Sequence, residues 1–183
     1  MTNSSAEMTD VEQLFVATLP ATDPAIGRAL WHLAGARARL KENLEKVDPS
    51  WIEWEPYPGG NSISTLLYHI ALIETDWLCV EVLEQKEYPA MLQELLPYPD
   101  RDENGRLYQI TGISLAEHLQ RLDKVRHTLL DAYATITLDD FRRMRYFPQQ
   151  YAVTPEWVLF HLTQHETEHR GQIQEIMALA KIK

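Results

Sequence analysis

One cysteine stands among 183 residues, so Cys79 has no partner for an internal disulfide and cannot build a thiolate metal cluster. A lone thiol without a bridge fits a reducing compartment. Basic charge is also short: 17 Lys+Arg face 27 Asp+Glu, for a formal net charge of −10. That excess makes a phosphate backbone or an anionic membrane surface a poor main partner. No apolar run reads as the roughly 18 residues of a membrane span. The opening MTNSSAEMTD has neither a basic start nor an apolar stretch after it, unlike a secretory signal. By elimination the expected location is cytoplasmic, with neither nucleic acid nor membrane as partner.

What is present is ordinary for a globular chain: 45% hydrophobic and 24% charged residues, in a length that suits one domain of about 150 residues or a little more. Such a chain can bury a core without a covalent staple. Four segments read as helices, over Asp23–Val47, Ser62–Gln85, Ser114–Ile136 and Thr154–Ala180. Asp23 is placed to cap the first and Pro24 suits its first position. Ser114 and Glu117 have capping-box spacing. No segment alternates convincingly enough to read as a strand. Residues 1–22 read as a tail with a short helix around Val11–Leu19, and 23–183 as the bundle.

The second helix carries the clearest period. Ile63, Leu66, Ile70, Ile73, Trp77 and Val80 step by threes and fours, the seam of a helix bundle. Helices of about 22 residues are about 33 Å long, and a four-helix bundle buries four such stripes most simply. The segment between the second and third helices, Lys86 to Gly112, is long enough to cross the bundle. The expected topology is therefore all-α, up-down-down-up. Within the crossover, Tyr88, Pro89, Tyr98, Pro99 and Tyr108 alternate with acidic Glu87, Glu94, Asp100, Asp102 and Glu103; it either lids a site or packs on the bundle.

Histidines 32, 69, 118, 127, 161, 165 and 169 supply the chemistry. Residues four apart share a helix face. His165 and His169 fall within the apolar stripe Val158, Leu162, Ile173, Ile176 and Ala180, with His161 on its flank. His69 flanks the stripe of the second helix. Inward imidazoles need partners, because an unpaired buried polar group costs a few kcal/mol. Two readings stay open: hydrogen-bonded core histidines, or ligands of one divalent cation. Three protein ligands would leave a coordination position open, the catalytic pattern. His32, His118 and His127 read as surface or edge residues, and Glu166 and Glu168 as solvated charges. Gln172 shares a flank with His161 and His165, so both His161 and Gln172 are candidates to orient a ligand. Gly171 costs about 1 kcal/mol in a helix, which a close approach to a neighbouring helix would explain. Arg142-Arg143-Met144-Arg145, the one basic cluster, reads as solvated surface.

The run His161-x3-His165-x3-His169-Arg170-Gly171-Gln172-Ile173 resembles the closing motif of the DinB/YfiT-like superfamily. Trp54-Glu55-Pro56-Tyr57-Pro58-Gly59-Gly60-Asn61-Ser62-Ile63, followed by Leu66-Leu67-Tyr68-His69-Ile70, resembles that family's lead into its second helix. Glu74 and Trp77-Leu78 also sit as in many members. The resemblance implies an up-down-down-up four-helix bundle holding a divalent metal, zinc or nickel foremost, on His69, His165 and His169. It implies a homodimer as well. Characterised relatives include thiol-dependent S-transferases and maleylpyruvate isomerases that use low-molecular-weight thiols such as bacillithiol or mycothiol. The expected function is a metal-dependent transferase that joins such a thiol to a small electrophile. The alternatives are a hydrolase in which the ion activates water, and a non-catalytic metal-binding stress-response dimer. The tail and the crossover both look longer than in a minimal member.

Overall fold

Four capped starts set the architecture. The computed structural model describes residues 14–147 and 150–182. Asp23 caps α1 (Pro24–Leu44) by accepting from the Ala25 N–H. Ser62 does the same through Thr65 for α2 (Ile63–Asp76), which continues as a wider π turn over Trp77–Val82. The short α3 (Ala90–Leu95) lies in the crossover. The Ser114/Glu117 capping box opens α4 (Leu115–Thr135), and α5 (Leu138–Arg142) follows it. Strands β1 (Arg145–Phe147) and β2 (Tyr151–Val153) then pair antiparallel, and Thr154 caps α6 (Pro155–Ala180). Each cap satisfies a backbone N–H that the first helical turn leaves free.

Packing gives the directions. Leu40 and Leu44 from the end of α1 join Ile63 and Leu66 from the start of α2, Leu122 of α4, and Ile176 and Met177 from the end of α6. A second cluster joins Ile26 and Leu30 of early α1, Val82 beyond α2, Tyr133 of late α4, and Val158 of early α6. Hence α1 and α6 run one way, α2 and α4 the other: the up-down-down-up bundle. One stretch among the described residues, Ile63–Val82, has the length and mean apolarity of a membrane span, and 78% of its most apolar 18 residues are buried inside the bundle. This corrects the sequence reading of no such run. Its apolarity is that of a central helix packed against helices on one side and the crossover on the other.

Between the two clusters lies a charged layer, with one residue from each main helix. Arg37, Glu74, Arg126 and Glu166 are all nearly inaccessible to solvent. Arg126 pairs with Glu74 at 2.7 Å and with Glu166 at 2.8 Å. Arg37 pairs with Glu74 at 2.8 Å and donates from Nε to Glu166 Oε1. Spare guanidinium N–H groups reach the backbone, Arg37 to Leu122 O at 2.8 Å and Arg126 to Leu33 O at 3.1 Å. Glu166 is thus a core residue, not a solvated charge. By the helical turn of about 100° per residue it stands about 40° from Leu162, within reach of the same core face.

Other expectations also change. The second helix loses α geometry at Trp77, where the Leu83 N–H bonds Leu78 O five residues back. The wider turn carries Leu78, Cys79 and Val82 into the core, leaving Trp77 and Val80 only half-buried. π turns of this kind recur at functional sites. The β-hairpin escaped notice because three-residue strands are too short to show alternation. Residues 14–19 are not helical; the rest of the expected Val11–Leu19 helix lies outside the described residues. This segment crosses α1, with the Leu19 N–H on Gly27 O at 3.0 Å, and a Cβ on Gly27 would sit 2.4 Å from Leu19 O. Arg145 is buried rather than solvated, bonded to Val82 O at 3.1 Å and to Asp140 Oδ2 at 3.0 Å, which fastens the hairpin to the end of α2.

Gly171 has no close neighbour: a Cβ built there meets nothing within 4 Å. The close helix approach invoked for it is therefore absent. Gly171→Ala is expected to stabilise the protein by about 1 kcal/mol, read as a rise of a few degrees in the thermal midpoint.

His118 is fully buried, not on the surface. Its Nδ1 accepts from Arg121 Nη1 at 3.0 Å, so Nε2–H donates to Ser64 Oγ at 2.9 Å. Burial first, then the Arg121 charge, pushes its pKa down to about 4. The unfolded chain therefore takes up a proton near pH 6.5 that the folded chain refuses, and stability falls as pH drops from 6.5 to 4. The full loss is about 3 kcal/mol at one pKa unit per 1.36 kcal/mol. In His118→Asn the difference in urea stability between pH 7 and pH 5 should shrink by about 2 kcal/mol.

Candidate metal centre

The stripe spacing brings His165 and His169 to one side of α6, one turn apart, where they meet His69 of α2. All three offer Nε2 to a common point. His165 Nε2 lies 3.1 Å from His69 Nε2 and 3.0 Å from His169 Nε2, and the three ligand atoms lie within 4.8 Å of one another. His69 is buried and the other two are half-buried, so the cluster sits at the edge of the core although helical phase keeps His165 and His169 within the stripe.

Hydrogen bonding fixes the tautomers. Asp100, from the crossover, accepts from His69 Nδ1 at 2.7 Å, and a carboxylate can only accept. Gln172 Oε1 accepts from His169 Nδ1 at 2.9 Å. In the neutral rings both of these Nε2 atoms are then bare lone pairs. A single hydrogen on His165 Nε2 can satisfy only one of them. Burial holds all three rings below the usual histidine range, His165 down to about 3, with the neighbouring rings adding to its shift. Neutral imidazoles with lone pairs converging on one point are what a cation requires. The two separations from His165, 3.1 and 3.0 Å, come close to the about 3.3–3.4 Å between two nitrogens each about 2.0–2.1 Å from a tetrahedral ion. The group can hold a metal ion.

Of the flanking candidates, Gln172 bonds a ring of the cluster and His161 does not. The His161 ring stacks on Trp157, 5.0 Å away and 6° from parallel, stands 4.8 Å from Trp77, and lies 6.0 Å from the His165 ring. Asp100 had no helical spacing to mark it. It is carried to His69 by the path of the crossover, which packs on the bundle: Tyr68 OH donates to Tyr98 O at 2.9 Å and Arg121 Nε to Leu95 O at 3.0 Å. Cys79 is buried away from the chemistry, with burial pushing its thiol up to about 11. It is a core residue, not a nucleophile.

Fold and site together describe a four-helix bundle with a three-imidazole centre spanning its second and last main helices. The sequence matches the model of the DinB superfamily over residues 32–173, and the chain belongs to that superfamily. Among solved structures it is similar to TT2238, described as a four-helix bundle protein, at 23% identity and a TM-score of 0.56, covering 82% of this chain and 98% of that one. It is also similar to a conserved protein from Enterococcus faecalis, at 16% identity and a TM-score of 0.66, covering 85% and 96%. These likenesses support the fold. No curated protein matches.

Proposed function

We propose that His69, His165 and His169 bind one divalent cation, zinc or nickel foremost, and that the protein is a metal-dependent transferase joining a low-molecular-weight thiol to a small electrophile. The observation that carries the metal is the convergence of Nε2 lone pairs that protein hydrogens cannot all satisfy. The thiol follows from the resemblance to thiol-dependent relatives. Bound at this point, such an ion supplies positive charge that favours the thiolate, which is the nucleophile. The sulfur bonds the electrophile's carbon, the leaving group departs with its electron pair, and the thiol proton passes to solvent. Asp100 and Gln172 fix the rings' orientation. The high-pKa Cys79 supplies no competing thiolate. The bundle holds the partners in place, and positioning is where much of the acceleration arises.

Calorimetric titration of the zinc- and nickel-loaded protein with bacillithiol, mycothiol, glutathione and cysteine tests the reading. One thiol should bind saturably, and turnover of an activated aryl halide should require it. Ester or amide turnover without thiol would replace the transferase by a hydrolase. Binding of none of the thiols would overturn the proposal.

A further inference from the structure

A hollow of about 490 Å³ opens where the π turn, the hairpin and the first turn of α6 meet. Trp77, Tyr151, Trp157, Met144 and Val153 line it. Among the described residues no charged side chain lines it, in a chain that carries 44 of them: 17 basic and 27 acidic. Trp157, Met144 and Tyr151 each remain more than two-fifths exposed around it. The aromatic rings are nonetheless held. Trp77 stands 5.4 Å from Trp157 and 5.9 Å from Tyr151. Tyr151 is anchored by its hydroxyl, which donates to Glu81 Oε1 at 2.5 Å. The aromatic wall does not stop at the hollow. His161 packs against both Trp77 and Trp157, and its ring lies 6.0 Å from the His165 ring, so one ring links the hollow's aromatic wall to the three-imidazole centre.

We propose that this hollow is the seat of an uncharged, planar aromatic molecule of one or two rings, the body of the electrophile. Rigid indole and phenol rings offer large contact area with little rotamer entropy to lose, and their faces and edges favour another ring over an aliphatic body. The volume is in the range of about 300–1,000 Å³ usual for small-molecule sites, and the lining matches their mostly apolar character with one polar edge. The hollow's affinity for such rings stands on this geometry alone; its assignment to the electrophile rests on the transferase reading.

The two are separated by titrating 2-naphthol into the full-length protein, metal-free and zinc-loaded, by calorimetry. Saturable binding of one molecule per chain is expected in both. Trp157→Ala should weaken it at least tenfold. His165→Ala should leave it unchanged, and cyclohexanol should bind at least tenfold more weakly. If the transferase reading also holds, Trp157→Ala raises KM for an aryl halide while thiol affinity stays constant. Naphthol binding without thiol-dependent turnover would sink the transferase reading and leave the aromatic site standing. Absence of saturable naphthol binding, or an affinity in Trp157→Ala equal to the wild type's, overturns the site. So does a dimer that dissociates in Trp157→Ala while no naphthol binds.

Discussion

Glu166→Ala should cost about 3–5 kcal/mol of stability, the usual effect of removing one partner from a buried ion pair. The reason lies in the arithmetic of the charged layer. Two guanidinium groups and two carboxylates sum to zero, and each carboxylate is shared by both arginines. Without Glu166, two buried positive charges face Glu74 alone. Burial by itself would push the Glu74 carboxyl up, yet Arg126 and Arg37 outweigh it and hold that group below the usual range. Urea unfolding at neutral pH measures the loss; a cost below 1 kcal/mol would show that the layer is not a coupled unit. Replacing the whole layer at once, Arg37→Met, Glu74→Leu, Arg126→Met and Glu166→Leu, should cost far less or even stabilise, because no charge is left unpaired. Glu166 follows His165 directly in the chain, so the layer also fixes the rotation of α6 on which the imidazole centre depends.

Asp100→Ala should lower zinc affinity by about 10–100-fold, the common effect of removing a carboxylate behind a ligating imidazole. Asp100 keeps the hydrogen on His69 Nδ1 and so the lone pair on Nε2. It also orients a ring that comes from a different helix than its two companions. Asp100→Asn keeps an accepting oxygen and should recover part of the loss. Competition against a chromogenic chelator reads both variants. Unchanged affinity in Asp100→Ala would mean that His69 is held by packing alone, or is not a ligand.

Periodicity and caps make the four helices legible in the sequence. Asp23 and Ser114 cap where their side chains predict, and the expected starts at Ser62 and Thr154 are capped by those residues as well. The charged layer was legible too, by a signal that apolar counting overlooks. Ile26, Leu30, Leu33, Arg37, Leu40 and Leu44 step by fours and threes through a charge. Glu74 four residues after Ile70, and Arg126 between Leu122 and Leu129, repeat the pattern with opposite signs. Four core-phased charges summing to zero would have marked Glu166 as internal. His118 misled for the same reason: its partners, Ser64 and Arg121, lie on two different helices. Asp100, Trp157 and Tyr151 were beyond the sequence's reach as a set, because loop paths and a three-residue hairpin obey no period.

The convergence of three imidazoles on one ion is tested most directly by metal analysis of protein purified without a histidine tag, beside His165→Ala treated identically. One equivalent of zinc or nickel per chain in the wild type, and its loss in the variant with the helical fold intact, is the predicted result. Equal metal content in the two proteins would contradict it.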